Sequence, residues 1–199
     1  MARFVVFDLG GVLIDWNPRY LFRQLLEPQE VERFIQDVVP PDWNEQMDAG
    51  KPFAEAIRER VEIFPQHSSL IRAYYDRWDE MLGGSIQGTV DLLYRLRERD
   101  VPLFALTNWS AETFRFAEER FSFLSCFRDI VVSGRERVKK PNPEIYRILL
   151  ARNGLNPEVG IFIDDTLPNV HAAEGVGLSA IHFRSPDGLE ERLHELRVL

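Results

Sequence analysis

The sequence predicts an α/β fold: a doubly wound parallel sheet interrupted by a small inserted α-helical domain. Three observations carry this expectation. Five short apolar runs, rich in β-branched and aromatic residues and closed by polar residues or glycine, read as buried strands. Helix-patterned segments separate the later four runs, the alternation that builds a parallel sheet covered by helices on both faces. About ninety residues lie between the first run and the second, where one crossover connection needs far fewer.

The first run is Phe4–Phe7, followed by Asp8 and the pair Gly10-Gly11. Residues from about Trp16 to Gly84 then place apolar side chains at helical spacing, as in Phe34, Ile35, Val38, Val39 and again Ala54, Ile57, Val61, Phe64, with no convincing strand. Pro40-Pro41 and Gly50-Lys51-Pro52 divide this insert into helices, and Gly83-Gly84 reads as the hinge back. The expected division is a core of residues 1–15 and 85–199 with a helical cap of residues 16–84. Gln87–Glu98 reads as the helix that leads into the second strand, Val101–Leu106. Helix Ser110–Phe121 and strand Ile130–Val132 follow. Pro143–Asn153 is framed by Asn142 as N-cap and Gly154 as helix stop. Strand Gly160–Ile163, helix Pro168–Gly175 and strand Ser179–Phe183 complete the pattern.

The 199 residues carry 24 basic and 32 acidic side chains, a net charge of −8, so nucleic-acid and anionic membrane partners are not expected. Hydrophobic residues make up 45% of the chain, enough for a buried core. Cys126 is the one cysteine, which excludes an intramolecular disulfide and a cysteine zinc site and suits a reducing compartment. The four histidines show no close ligand spacing. Asp8 interrupts the first apolar run, no signal-cleavage pattern follows, and no stretch reaches the ~20 apolar residues of a membrane helix. The expected location is therefore cytoplasmic, and the expected assembly a monomer or homodimer.

The chemistry gathers at strand ends, where open parallel sheets bind their ligands. Strand one delivers Asp8 into a turn in which Gly10 and Gly11 let backbone approach a phosphate closely. Strand two ends in Leu106-Thr107-Asn108-Trp109-Ser110, a hydroxyl and an amide before a helix N-terminus, which favours an anion. After strand three comes Lys139-Lys140-Pro141-Asn142-Pro143, a rigid turn beside a lysine. Strand four ends in Asp164-Asp165, an acidic pair whose burial calls for a cation, with Mg2+ as the natural oxygen-seeking partner. Taken singly, each motif has a plainer reading as turn, cap or solvated loop. Together they supply what a magnesium-assisted aspartyl-phosphate mechanism needs.

With these four motifs in order over the whole chain, the sequence resembles the haloacid dehalogenase superfamily of phosphohydrolases. The resemblance implies a Rossmann-like core with strand one between strands two and four, and it makes the insert a helical cap. It implies Asp8 as nucleophile, Lys140 as orienting cation, and Thr107, Asn108 and Gly11 around the phosphate. Asp8, the Gly10 carbonyl, Asp164 and Asp165 would hold Mg2+. The wording Asp-Leu-Gly-Gly-Val with Leu-Thr-Asn-Trp-Ser looks most like a branch that includes sugar-phosphate phosphatases. The expected function is Mg2+-dependent hydrolysis of a small phosphomonoester, such as a sugar phosphate, through an aspartyl-phosphate.

One position departs from that pattern: such phosphatases usually carry a second aspartate two residues after the nucleophile as general acid and base, and Gly10 stands there. Asp15 and Asp48 are the candidates to replace it. Weak acid assistance would favour sugar 1-phosphates, acyl phosphates or aryl phosphates over alkyl phosphates. Trp16, Trp43, Met47, Asp48 and Trp78 are the cap residues that could close on a leaving group. Two alternatives remain: a 2-haloacid dehalogenase, which needs no metal and no second acid, and a non-catalytic phosphate-binding domain.

Overall fold

The computed structural model describes residues 4–199, so the first three residues of the expected core segment lie outside the description. The strands are β1 (Phe4–Phe7), β2 (Ile14–Trp16), β3 (Leu82–Ser85), β4 (Leu103–Thr107), β5 (Asp129–Val132), β6 (Gly160–Asp164) and β7 (Ser179–His182). The helices of the insert are α1 (Arg19–Phe22), α2 (Pro28–Asp37), α3 (Pro41–Asp48), α4 (Phe53–Ile63) and α5 (Ser68–Asp76). Those of the core are α6 (Gln87–Glu98), α7 (Phe114–Arg120), α8 (Ser133–Glu136), α9 (Pro143–Asn153), α10 (Leu167–Gly175) and α11 (Pro186–Glu195).

Five strands form one parallel sheet in the order β5-β4-β1-β6-β7. β1 lies at its centre, with Phe7 in register with Ala105 of β4 and Ile163 of β6. Alternation along the strands feeds two cores, as the pleat requires. Val5, Phe7, Ala105 and Ile163 pack with Val90 and Leu93 of α6 and Leu193 of α11, whereas Phe4, Val6, Leu106 and Phe162 pack with Ile145 and Leu149 of α9. Helices thus cover both faces, and the fold is the expected one.

Several boundaries move for local reasons. β4 begins at Leu103 because Pro102 has no N–H for the ladder, although its carbonyl still accepts from Val5. The helix expected from Ser110 starts at Phe114, since the Ser110 hydroxyl accepts the Glu112 N–H and closes a turn first. β6 continues through Asp164, and α10 starts one residue earlier than expected, at Leu167.

The absence of strands from the insert is a misreading at its ends. β2 and β3 pair antiparallel, with an irregularity between Asp15 and Trp16, and so tie the two crossings between core and cap into a ribbon. Gly83 is required there, because a Cβ would overlap the Asp15 carboxylate and the Tyr20 ring. Between those strands the cap helices close on an aromatic cluster: Trp43 and Phe22 meet Tyr74, while Phe53 and Tyr74 meet Trp78.

Candidate active site

The central strand carries Asp8 just past its end, where the Asp8 N–H donates to the Ile163 carbonyl at 2.8 Å. The following turn closes tightly, as the Leu13 and Ile14 N–H groups both reach the Leu9 carbonyl. Gly11 has φ +75° and sits so close to Asp165 that a side chain would run into that carboxylate. The glycine pair therefore brings the β1 turn against the β6 turn.

Lys140 reaches the same point from the loop after α8. It is 1% exposed, and its Nζ lies 2.9 Å from Asp8 Oδ1 and 2.7 Å from Asp164 Oδ2. Asn108 fixes the lysine backbone from both sides: its Oδ1 accepts the Lys140 N–H at 2.8 Å, and its Nδ2 donates to the Lys140 carbonyl at 3.0 Å. Burial disfavours the ammonium, but Asp8 and Asp164 outweigh that penalty and hold its pKa above the ordinary lysine value.

Asp164 is fully buried and fully engaged. Its Oδ1 accepts the Thr166 N–H at 2.8 Å and Asn169 Nδ2 at 3.0 Å, and its Oδ2 accepts Lys140. Asp165 is the more exposed member of the pair, and partial desolvation of its carboxyl with Asp164 beside it raises it above the usual range. Burial also pushes Asp8 up to about 8, against the opposing Lys140 ammonium and helped by Asp164 and Asp165. One oxygen from each of Asp8, Asp164 and Asp165 lies within 4.8 Å of the others. Three carboxylates against one ammonium leave two negative charges when ionised. An all-oxygen set with that deficit fits a single hard divalent cation.

Beside this cluster lies a cavity of about 270 Å3. From the core it is lined by Asp8, Gly10, Gly11, Asn108, Lys140 and Asp165, and from the cap by Trp16, Asn44, Asp48 and Trp78. Thr107, 1% exposed, has a buried hydroxyl with no hydrogen-bond partner. That hydroxyl has a bond to offer at the end of β4, although Thr107 is not among the residues that line the cavity. Trp16 and Trp78 stack with ring centres 5.6 Å apart, and their buried indole N–H groups likewise have no partner.

The structure thus brings together Asp8, Gly10, Gly11, Asn108, Lys140, Asp164 and Asp165, with Thr107 at the end of β4. Of the five cap residues singled out, Trp16, Asp48 and Trp78 face the cavity, whereas Trp43 and Met47 are buried away from it in the cap core. Asp15 is turned toward Tyr20, whose hydroxyl donates to it at 2.6 Å, and it does not line the cavity. Asn169 escaped the sequence reading. It sits on the first turn of α10, holds Asp164 through Nδ2, and is itself pinned by the Tyr146 hydroxyl at 2.9 Å. Its position five residues after Asp164, one turn into a helix, was the available signal.

The chain is 28% identical over 179 residues to a sesquiterpene phosphatase of Aspergillus oryzae, a match spanning 89% of this chain and 88% of that protein. It is 27% identical over 195 residues to a phosphorylated carbohydrates phosphatase of Thermotoga maritima, spanning 89% and 83%. A haloacid dehalogenase family enzyme of Bacteroides thetaiotaomicron, solved with magnesium and inorganic phosphate, superposes with a TM-score of 0.70 at 23% identity, over 93% of this chain and 96% of that one. Over residues 2–177 the sequence matches the family of haloacid dehalogenase-like hydrolases, and the chain belongs to that family.

Proposed function

We propose that the protein is a Mg2+-dependent phosphatase that hydrolyses a small phosphomonoester through an aspartyl-phosphate on Asp8. The observation that carries this reading is the Asp8–Lys140–Asp164 chain of ion pairs at the sheet edge with Asp165 beside it, two charges short of neutrality. Asp8, Asp165, the Gly10 carbonyl and Asp164 would hold the metal. Bound there, Mg2+ supplies positive charge to the phosphoryl oxygens and keeps the carboxylates ionised.

The chain's own groups do the rest. Lys140 opposes the burial that raises the Asp8 carboxyl and orients it, and it faces the phosphoryl oxygens as charge moves onto them. The Thr107 hydroxyl fills its missing bond on the phosphate, and the cap excludes water while one Asp8 oxygen attacks in line. Water then cleaves the aspartyl-phosphate and restores Asp8. The aromatic cap face accommodates a leaving group with apolar surface as well as hydroxyls, which suits the range of phosphatases among the relatives, from sesquiterpene to carbohydrate phosphates. We include sugar phosphates in that substrate class.

The test is a panel of aryl, sugar and terpenyl phosphates assayed with Mg2+, with EDTA, and with Asp8→Asn. Phosphate release abolished by both controls supports the reading. Metal-independent release of halide from 2-haloacids would replace it with a dehalogenase, although an acidic pair beside the nucleophile repels a substrate carboxylate. Phosphate binding with no turnover on any ester would leave a binding domain.

A further inference from the structure

The gap at Gly10 is filled from the cap. We propose that Asp48, at the end of α3, is the general acid and base of the reaction, protonating the leaving-group oxygen and then activating water. The assignment rests on the phosphatase reading above.

Four observations carry it. Asp48 lines the cavity together with Asp8 and Lys140, and it arrives from the cap, whereas Asp8 arrives from the sheet edge. An in-line displacement places nucleophile and leaving group on opposite sides of phosphorus, so an acid serving the leaving group belongs on the cap side. Its side chain is oriented: Tyr74 Oη donates to Asn44 Oδ1 at 3.1 Å, which turns Asn44 Nδ2 toward Asp48 Oδ2 at 3.0 Å. Asn44 can only donate at that end, so Oδ2 is held as an acceptor. Its backbone is anchored as well, because Ser133 Oγ, at the start of α8, donates to the Asp48 carbonyl at 2.6 Å. The alternative, Asp15, is bonded to Tyr20 and lies off the cavity.

The environment gives the group the right acidity. Burial raises the Asp48 carboxyl to about 7 and Glu45 adds to the rise, while Lys139, the Ser110 backbone N–H and Lys140 oppose it. Tyr74, whose hydroxyl bonds Asn44, is itself held well above its usual value by burial and by Asp48. A carboxyl that titrates near neutrality donates and accepts protons with comparable ease.

The steps balance. Asp8 attacks phosphorus, the bond from phosphorus to the ester oxygen breaks, and the Asp48 proton passes to that oxygen to release an alcohol. Water next attacks phosphorus, Asp48 takes its proton, the Asp8–phosphorus bond breaks, and inorganic phosphate leaves with Asp8 and Asp48 as they began. The consequence for specificity is that alkyl and sugar phosphates, whose leaving groups need a proton, become good substrates.

The experiment compares p-nitrophenyl phosphate with an alkyl phosphate in rapid-mixing single-turnover assays of wild type and Asp48→Asn. Nitrophenolate leaves unprotonated, so the variant is expected to keep a fast nitrophenolate burst, then stall as a phosphoenzyme seen by mass spectrometry. With the alkyl phosphate it is expected to lose ~10²–10⁴-fold in the first step. Equal losses on both esters in the first step, or no loss on the alkyl ester, would overturn the assignment. If the variant does not fold, wild type decides. A phosphorylation rate nearly independent of leaving-group basicity supports proton donation, and a steep dependence overturns it. Absence of any phosphoenzyme in wild type together with full activity of Asp8→Asn would instead remove the aspartyl-phosphate reading, and this proposal with it.

Discussion

Lys140 shows how much of the site depends on single residues. It is a buried ammonium held between two buried carboxylates, so removing it strands Asp8 and Asp164 without their counter-charge. Lys140→Met is expected to cost about 3 kcal/mol of stability, as breaking buried ion pairs typically does, and to abolish turnover. A chemical-denaturation curve and the aryl phosphate assay read the two effects. Asp48 gives a signed pH effect. Its folded pKa of about 7 lies above the ordinary 3.8, so the native state binds the extra proton between those values. Its contribution is present below pH 3.8 and is lost as pH rises through 7. Asp48→Asn should therefore melt higher than wild type at pH 8 and show little gain at pH 4, the difference amounting to a few kcal/mol in melts at the two pH values. Asp8, Thr107, Asp164 and Asp165 were legible as candidates because each closes or follows an apolar run, where a parallel sheet gathers side chains, and Lys140 because a rigid Pro-x-Pro turn stands beside it. The parts played by Asn108 and Asn169, and the choice of Asp48 over Asp15, were not. Each depends on a partner 4 to 32 residues away, whose side-chain direction periodicity does not encode.

Among the elements, the five core strands and the long helices were readable from period and punctuation alone, since they are local and strongly patterned. The ribbon of β2 and β3 was not. Three residues and a glycine-rich four carry no alternation, and their pairing spans the whole insert. α11 was also overlooked, although Ser185-Pro186 is a cap and first-turn proline, and the Ser185 hydroxyl does accept the Gly188 N–H at 3.2 Å. The ribbon makes its own prediction. Gly83→Val places a branched side chain where the Asp15 carboxylate and Tyr20 ring already lie, and overpacking of this kind costs about 1–3 kcal/mol. Because β2 ends in Trp16, a cavity residue, the same variant is expected to raise KM in steady-state kinetics as well as lower the denaturation midpoint.

At the scale of the whole molecule, the fold's work is to deliver four strand ends to one edge and to hold a helical cap over them. Cap and core also touch beyond the ribbon, through Ser133 to the Asp48 carbonyl, Lys139 to Glu45, and the Phe53 N–H to Glu112. No helix among the described residues is long and apolar enough to cross a membrane. If the two surplus negative charges at the edge are the metal site, Mg2+ stabilises the folded chain by mass action, about 2.7 kcal/mol at a hundred times its Kd. A thermal melt should show that rise in wild type and little of it in Asp165→Asn. The central claim, that Asp8 becomes covalently phosphorylated, is tested most directly by acid-quenching the enzyme during turnover of an aryl phosphate with Mg2+ and mapping the phosphorylated peptide. The expected result is a hydroxylamine-labile phosphoryl group on the N-terminal peptide that contains Asp8, absent from Asp8→Asn. A phosphoryl group on any other residue, or undiminished turnover by Asp8→Asn, would contradict it.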